Sequence, residues 1–200
     1  MTLLSRLAPA VLLVAFPTFA RAADPNPEKA AVLEWLRVLD ADVAADRDGN
    51  VTDVQFGCGV PIHDNELILL KAFPRLEKLT IIGDDDITDA GLAHLKGMKL
   101  KKLFLVSEKV TAKGLKSIAG LEGLEDLHLN RVPVSAAGLD ELKKLKNLKS
   151  LWIRGSGLAD ADASSFAGFA KLETLRLNNK MTDAGLEKVK AMLPKAHVMR

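Results

Sequence analysis

The chain has 200 residues, 48% of them hydrophobic and 27% charged, with a formal net charge of +2 and a single cysteine. That balance suits one domain and excludes a disordered chain, which needs low hydrophobicity and high net charge. A disulfide scaffold is excluded as well, because Cys58 has no second cysteine to pair with.

Met1 to Ala22 reads as an export signal. Arg6 gives a positive start, Leu7 to Phe16 is apolar, and Ala20-Arg21-Ala22 is a small-x-small cleavage site. The run from Leu7 to Ala20 contains Pro9 and Pro17 and is shorter than the roughly 20 residues of a spanning helix. The mature chain is therefore expected to begin after Ala22, to be secreted or periplasmic, and to lack a membrane span. The signal takes Arg6 and Arg21 from the 28 basic residues and nothing from the 26 acidic ones, so the mature chain is balanced. No net field draws it to nucleic acid or an anionic membrane.

Residues 23–50 form a lead-in and an N-terminal capping helix. Ala23 to Pro27 is Pro-rich, and Glu28 to Leu39 carries Val32, Trp35, Leu36 and Leu39 along one helical face. Asp40 to Asn50 turns into the first strand. Asp46-Arg47-Asp48-Gly49 looks like part of a calcium loop, but Ala44 and Gln55 occupy the first and twelfth ligand positions, so the match fails. Cys58 follows that strand. Burial beneath the cap is the expectation, with a free or bridging thiol as the alternatives.

From residue 51 to 200 the sequence repeats about six times. The pattern L-x-x-L-x-[LI] occurs at Leu76/Leu79/Ile81, Leu100/Leu103/Leu105, Leu124/Leu127/Leu129, Leu148/Leu151/Ile153 and Leu172/Leu175/Leu177, each 24 residues after the last. Val51/Val54/Phe56 is a degenerate first copy. Each unit then opens a helix, at Thr88, Thr111, Ser135 and Thr182. These hydroxyls are N-caps, and the apolar residue before each staples onto the Leu four residues after it. Asp89 and Asp183 sit in first turns, where the helix dipole favours negative charge. The predicted buried stripes are Leu92/Leu95/Met98, Leu115/Ile118/Leu121, Leu139/Leu142/Leu145 and Leu186/Val189/Met192. In the fourth unit Asp162 replaces Gly and Ala163 replaces the staple Leu, so that helix should start differently, with Phe166 and Phe169 filling volume. Pro194 ends the last helix, and Ala196 to Met199 is a partial final strand.

These units resemble the leucine-rich-repeat family, and most closely bacterial proteins built on the T-D-A-G-L unit, over about residues 51–194. The resemblance implies an α/β solenoid: an arc with a short parallel sheet on its concave face and helices on its convex face. It also implies binding of other molecules on the strand face rather than catalysis. The ninth position, often Asn or Cys in such repeats, holds Asp84, Glu108, Val132, Ser156 and Lys180, so the turn must be satisfied another way.

Alternation along a strand sends the fourth position inward and the third and fifth outward. The fifth positions are Gln55, Thr80, Phe104, His128, Trp152 and Arg176, and the third are Asp53, Lys78, Lys102, Asp126, Ser150 and Thr174. Phe104, His128, Trp152 and Arg176 should make an outward contact row, flanked by Arg154 on one side and Lys102 and Lys78 on the other. Such a row is expected to be exposed, so that Trp152→Ala changes stability by no more than about 1 kcal/mol. The second positions, Glu77, Lys101, Glu125, Lys149 and Glu173, alternate in charge and should reinforce the register at about 0.2–1 kcal/mol per pair. Six strands span about 24 Å, which fits a peptide, a saccharide or a modest protein epitope.

Catalytic and metal chemistry finds little footing. Asp126, His128 and Ser150 face outward together, but no glycine-rich turn or helix start supplies an oxyanion hole beside them. Asp84-Asp85-Asp86 reads as a solvated loop, and His63, His94 and His197 lack zinc-like spacing. Without a phosphate loop or dinucleotide fingerprint, no cofactor is expected. The chain reads as an exported non-enzymatic module that binds a protein or peptide, with a saccharide as a further option. A self-assembling extracytoplasmic scaffold, with Cys58 as its candidate link, is the alternative; an intracellular adaptor and a hydrolase are weaker ones.

Overall fold

A computed structural model describes residues 27–82, 86–178 and 180–200. The export signal expected over residues 1–22 lies outside these. Eight strands form one sheet in chain order: β1 (Asp42–Ala45), β2 (Val51–Phe56), β3 (Lys78–Ile81), β4 (Lys102–Val106), β5 (Asp126–Asn130), β6 (Ser150–Arg154), β7 (Thr174–Asn178) and β8 (His197–Met199). From β2 onward every pair is parallel and in phase, so Leu79, Leu103, Leu127, Leu151 and Leu175 are direct neighbours. These leucines, with Ile81, Leu105, Leu129, Ile153 and Leu177 two places on, are almost wholly buried. The third and fifth positions therefore share the opposite face.

β1 departs from the sequence reading, which ran straight from a turn into β2. It pairs antiparallel with β2. The intervening turn is tied by Asp46, whose Oδ1 accepts from the N–H groups of Asp48 and Asn50 at 2.9 Å. All four β1 residues are exposed, so no buried alternation marks the strand in the sequence. Helix α1 (Pro27–Val38) buries Val32 and Leu36 against this end, with the Trp35 ring 6.0 Å from Phe56.

The opposite layer holds α2 (Asp89–His94), α3 (Ala112–Ile118), α4 (Ala136–Leu142), α5 (Asp183–Met192) and two 3-10 segments, Asp64–Ala72 and Asp160–Phe166. Thr88, Thr111, Ser135 and Thr182 cap their helices as expected. The stripe residues Leu95, Leu121 and Leu145 are buried but lie just beyond their helices, which are shorter than the pattern implies. Met192 is exposed, so the final stripe stops at Val189.

Successive helix starts are also tied to one another. Thr88 donates its N–H to Asp64 Oδ1 (2.7 Å) and its hydroxyl to Oδ2 (2.5 Å). Thr111 does the same to Asp89, and Thr182 to Asp160. Each carboxylate occupies the space where a side chain on the next unit's glycine would begin: a Cβ at Gly91, Gly114 or Gly185 would press on Asp64, Asp89 or Asp160. The glycine of the repeat thus makes room for its neighbour's aspartate. Where Ala112 replaces that aspartate, Gly138 instead accommodates Leu115, whose methyl lies 2.6 Å from the Cβ position.

The fourth unit starts differently, as expected. Ala159 has no capping side chain, so Asp162 accepts from the Ala159 N–H at 2.9 Å, and the segment winds as a 3-10 helix. Phe166 and Phe169 are buried there. Two of the turns use serine hydroxyls, while the turn at Val132 is held by backbone bonds, Arg131 N–H to the Arg154 carbonyl and Val134 N–H to the Val132 carbonyl, both at 2.8 Å. Ser107 donates to the Ile87 carbonyl (2.8 Å) and accepts from the Lys109 N–H (3.0 Å), while Ser156 lies buried and Val132 joins the core. Cys58 is exposed rather than buried, because α1 packs over Phe56 and leaves the following turn in solvent.

Candidate functional site

The in-phase strands put Phe104, His128, Trp152 and Arg176 on consecutive rungs of the open sheet face. Strands about 4.8 Å apart hold flat side chains at stacking distance. Phe104 meets His128 at 5.5 Å with the rings tilted by 59°. His128 lies parallel to Trp152 at 4.4 Å, and the Arg176 guanidinium carbon sits 4.3 Å from the centre of the Trp152 ring. Because β5 and β7 flank β6, His128 and Arg176 cover opposite faces of the indole.

This corrects the expected exposure of the row. All four side chains are half-buried, because each is covered by its neighbours. They line a groove of about 340 Å³ together with Asn130, Arg154 and Arg200. Lys102 falls elsewhere. It borders a second hollow of about 170 Å³ with Lys78, Thr80 and Asp126, and its ammonium lies 3.7 Å from Asp126. Lys78 is likewise paired, 2.7 Å from Asp53. Arg200 was missed in the sequence because it lies outside the repeat. The register of β8 brings it near, since Met199 aligns with Arg176. Its guanidinium donates to the Met181 carbonyl (2.7 Å) and pairs with Asp183 at 3.1 Å.

Asp126, His128 and Ser150 also meet, but in an order unsuited to hydrolysis. His128 Nε2 lies 3.0 Å from Asp126 Oδ1, close but off the line of an aligned hydrogen bond. The His128 imidazole holds the Asp126 carboxyl below its ordinary value, helped by the Ser150 hydroxyl and Lys102 and opposed by partial burial. The carboxylate thus stands between serine and histidine, and a carboxylate so lowered is a weak base. A nucleophilic serine needs the imidazole beside it. Among the described residues no cluster of His, Cys, Asp or Glu could hold a metal ion. Asp84 and Asp85 lie outside them, while Asp86 pairs with Lys109 at 3.0 Å.

The alternating second positions are paired along the sheet margin, Lys101 to Glu77 at 2.8 Å and Lys149 to Glu125 at 2.7 Å. Lys149 lowers the Glu125 pKa, and Glu125 raises that of Lys149. These pairs hold rungs in register and leave the groove to other residues.

No family model and no curated protein matches the chain. Among solved structures it is similar to an internalin, inlF, from Listeria monocytogenes, at 19% identity and a TM-score of 0.52, over 90% of this chain and 59% of that one. It is also similar to internalin C2 from the same organism, at 19% identity and a TM-score of 0.45, over 87% of this chain and 82% of that one. The chain thus spans less than two thirds of the first protein's length. The fold is an α/β leucine-rich-repeat solenoid with a parallel sheet along one side and helices along the other. Among the described residues no helix is long and apolar enough to cross a membrane.

Proposed function

We propose that this chain is an exported, non-enzymatic binding module of the bacterial T-D-A-G-L type, which recognises a protein or peptide on its open sheet face. One observation carries the reading: Phe104, His128, Trp152 and Arg176 stack on one another along four strands, beside a groove. Nothing in the repeat demands aromatic side chains at those positions, since the core is filled from the other face. Side chains fixed in this way lose little entropy when a partner arrives. The placing of Asp126 rather than His128 beside Ser150, together with the open setting, supports binding over catalysis.

Affinity capture from native envelope material tests this, comparing wild type with Trp152→Ala after circular dichroism has shown both to be folded. A partner retained by wild type and lost by the variant is the expected result; equal retention refutes the assignment of this face. Export is tested separately by the mass of the secreted product, which should begin at Ala23.

A further inference from the structure

The groove's chemistry narrows the partner class, an inference that rests on the binding reading above. An aromatic ring is negative over its faces and positive around its rim. Both faces of Trp152 are taken, by His128 at 4.4 Å and Arg176 at 4.3 Å. The indole therefore meets a ligand with its positive rim. A neutral sugar gains most from packing its C–H face on an open ring face, and Trp152 has none to give.

Charge points the same way. At the β3–β5 end each lysine has its carboxylate: Lys78 has Asp53 and Lys102 has Asp126. At the β6–β7 end the balance fails. Arg154 is exposed and has no carboxylate within ion-pair distance among the described residues, and Arg176, set against the indole, has none either. Arg200 beside them is already paired with Asp183. The positive excess is thus local to one end of the groove.

We propose that the occupant is an extended acidic segment of a partner protein, with carboxylate side chains on Arg154 and Arg176 and an apolar side chain against the rims of Phe104 and Trp152. The arginine fork suits a carboxylate in two-point contact. A face of about 24 Å accommodates about seven extended residues laid across the strands. The groove of about 340 Å³ gives its side chains somewhere to sit.

A peptide array supplies the test. Peptides of about ten residues, long enough to cross the face, are printed in three matched sets that carry Glu, Gln or Lys at the same positions. The full chain is applied, with sulfated dextran beads run in parallel. Preferential capture by the Glu set is expected, falling about a hundredfold in Arg154→Gln/Arg176→Gln, about tenfold for each charge-assisted bond removed. Capture should also fall between about 0.05 M and about 0.5 M salt. Arg154→Glu, an exposed change that leaves the stack in place, should shift preference toward the Lys set. Equal capture of the Glu and Gln sets, indifference to the arginine variants, or capture by dextran alone overturns the proposal. Charge-independent capture that vanishes in Trp152→Ala overturns the acidic partner while leaving the binding face standing. No capture of any kind overturns both.

Discussion

The stack can be tested through its own energetics, without any partner. Trp152→Ala removes a half-buried indole with both faces covered. The ring pair with His128 contributes about 0.5–1.5 kcal/mol beyond area burial, and the Arg176 contact about 0.5–1 kcal/mol. Burial of about 100 Å² of indole adds about 2 kcal/mol. The expected loss is therefore about 3–4.5 kcal/mol, well above the half-kilocalorie scale of a freely exposed residue. Urea denaturation followed by circular dichroism measures it as a shifted midpoint at constant slope. A core tryptophan would give a similar loss, so the single variant does not identify the cause. A double-mutant cycle with Arg176→Ala does. Trp152 and Arg176 should couple by about 0.5–1 kcal/mol, whereas Trp152 and the exposed Arg37, on α1 at the far end of the sheet, should be additive within about 0.3 kcal/mol. Additivity between Trp152 and Arg176 would refute the stack, and with it the argument that the indole faces are unavailable.

Gly91→Ala should destabilise, against the usual helix gain of about 0.5–1 kcal/mol, because the new Cβ presses on Asp64. In an Asp64→Ala background the cost should shrink by at least half, and a stabilising Gly91→Ala in the wild-type background would refute the packing of glycine on aspartate. Phe166→Ala should cost about 3–5 kcal/mol, measured by the same denaturation, since its side chain is fully buried where the staple leucine is missing. The carboxyls of Asp46, Asp86, Glu125, Asp126 and Asp160 are all held below their ordinary values, by Asn50, Lys109, Lys149, His128 and Thr182 respectively as the leading partners. A carboxyl whose folded pKa lies below its unfolded one stabilises fully above the unfolded value and loses that contribution as pH falls through the folded one. The thermal midpoint should therefore decline once pH drops below about 4; a midpoint that rises there would contradict these assignments.

The sheet was legible because its period and its slots are both strict. Leucines recurring every 24 residues put Trp152 beside His128 by spacing alone. The way the two rings meet was not legible, since a side chain's rotamer depends on the neighbour it packs against. The exposure expected of the row was wrong for the same reason: stacked side chains bury one another. Asp89 was readable as a helix-dipole residue, yet its carboxylate reaches Thr111 in the next unit, a contact 22 residues away that no local pattern announces. β1 escaped notice because its exposed Asp-Val-Ala-Ala carries no buried alternation, and Arg200 because it follows the last repeat.

The same strict register explains why the face has a direction. In-phase strands would place like beside like if the slots held identical residues. Here the third slot runs Lys78, Lys102, Asp126 and Ser150, and its opposite charges neutralise one another. The fifth slot runs Phe104, His128, Trp152 and Arg176, and its only fixed cation is held against an indole rather than a carboxylate. A cation held against a π-face is fixed in position and still unneutralised, whereas one in a salt bridge is fixed by losing most of its reach. The groove thus ends in charge that is both immobile and available. An extended acidic segment would gain most in one orientation, and reversing it would set its carboxylates toward Asp126 and Asp53.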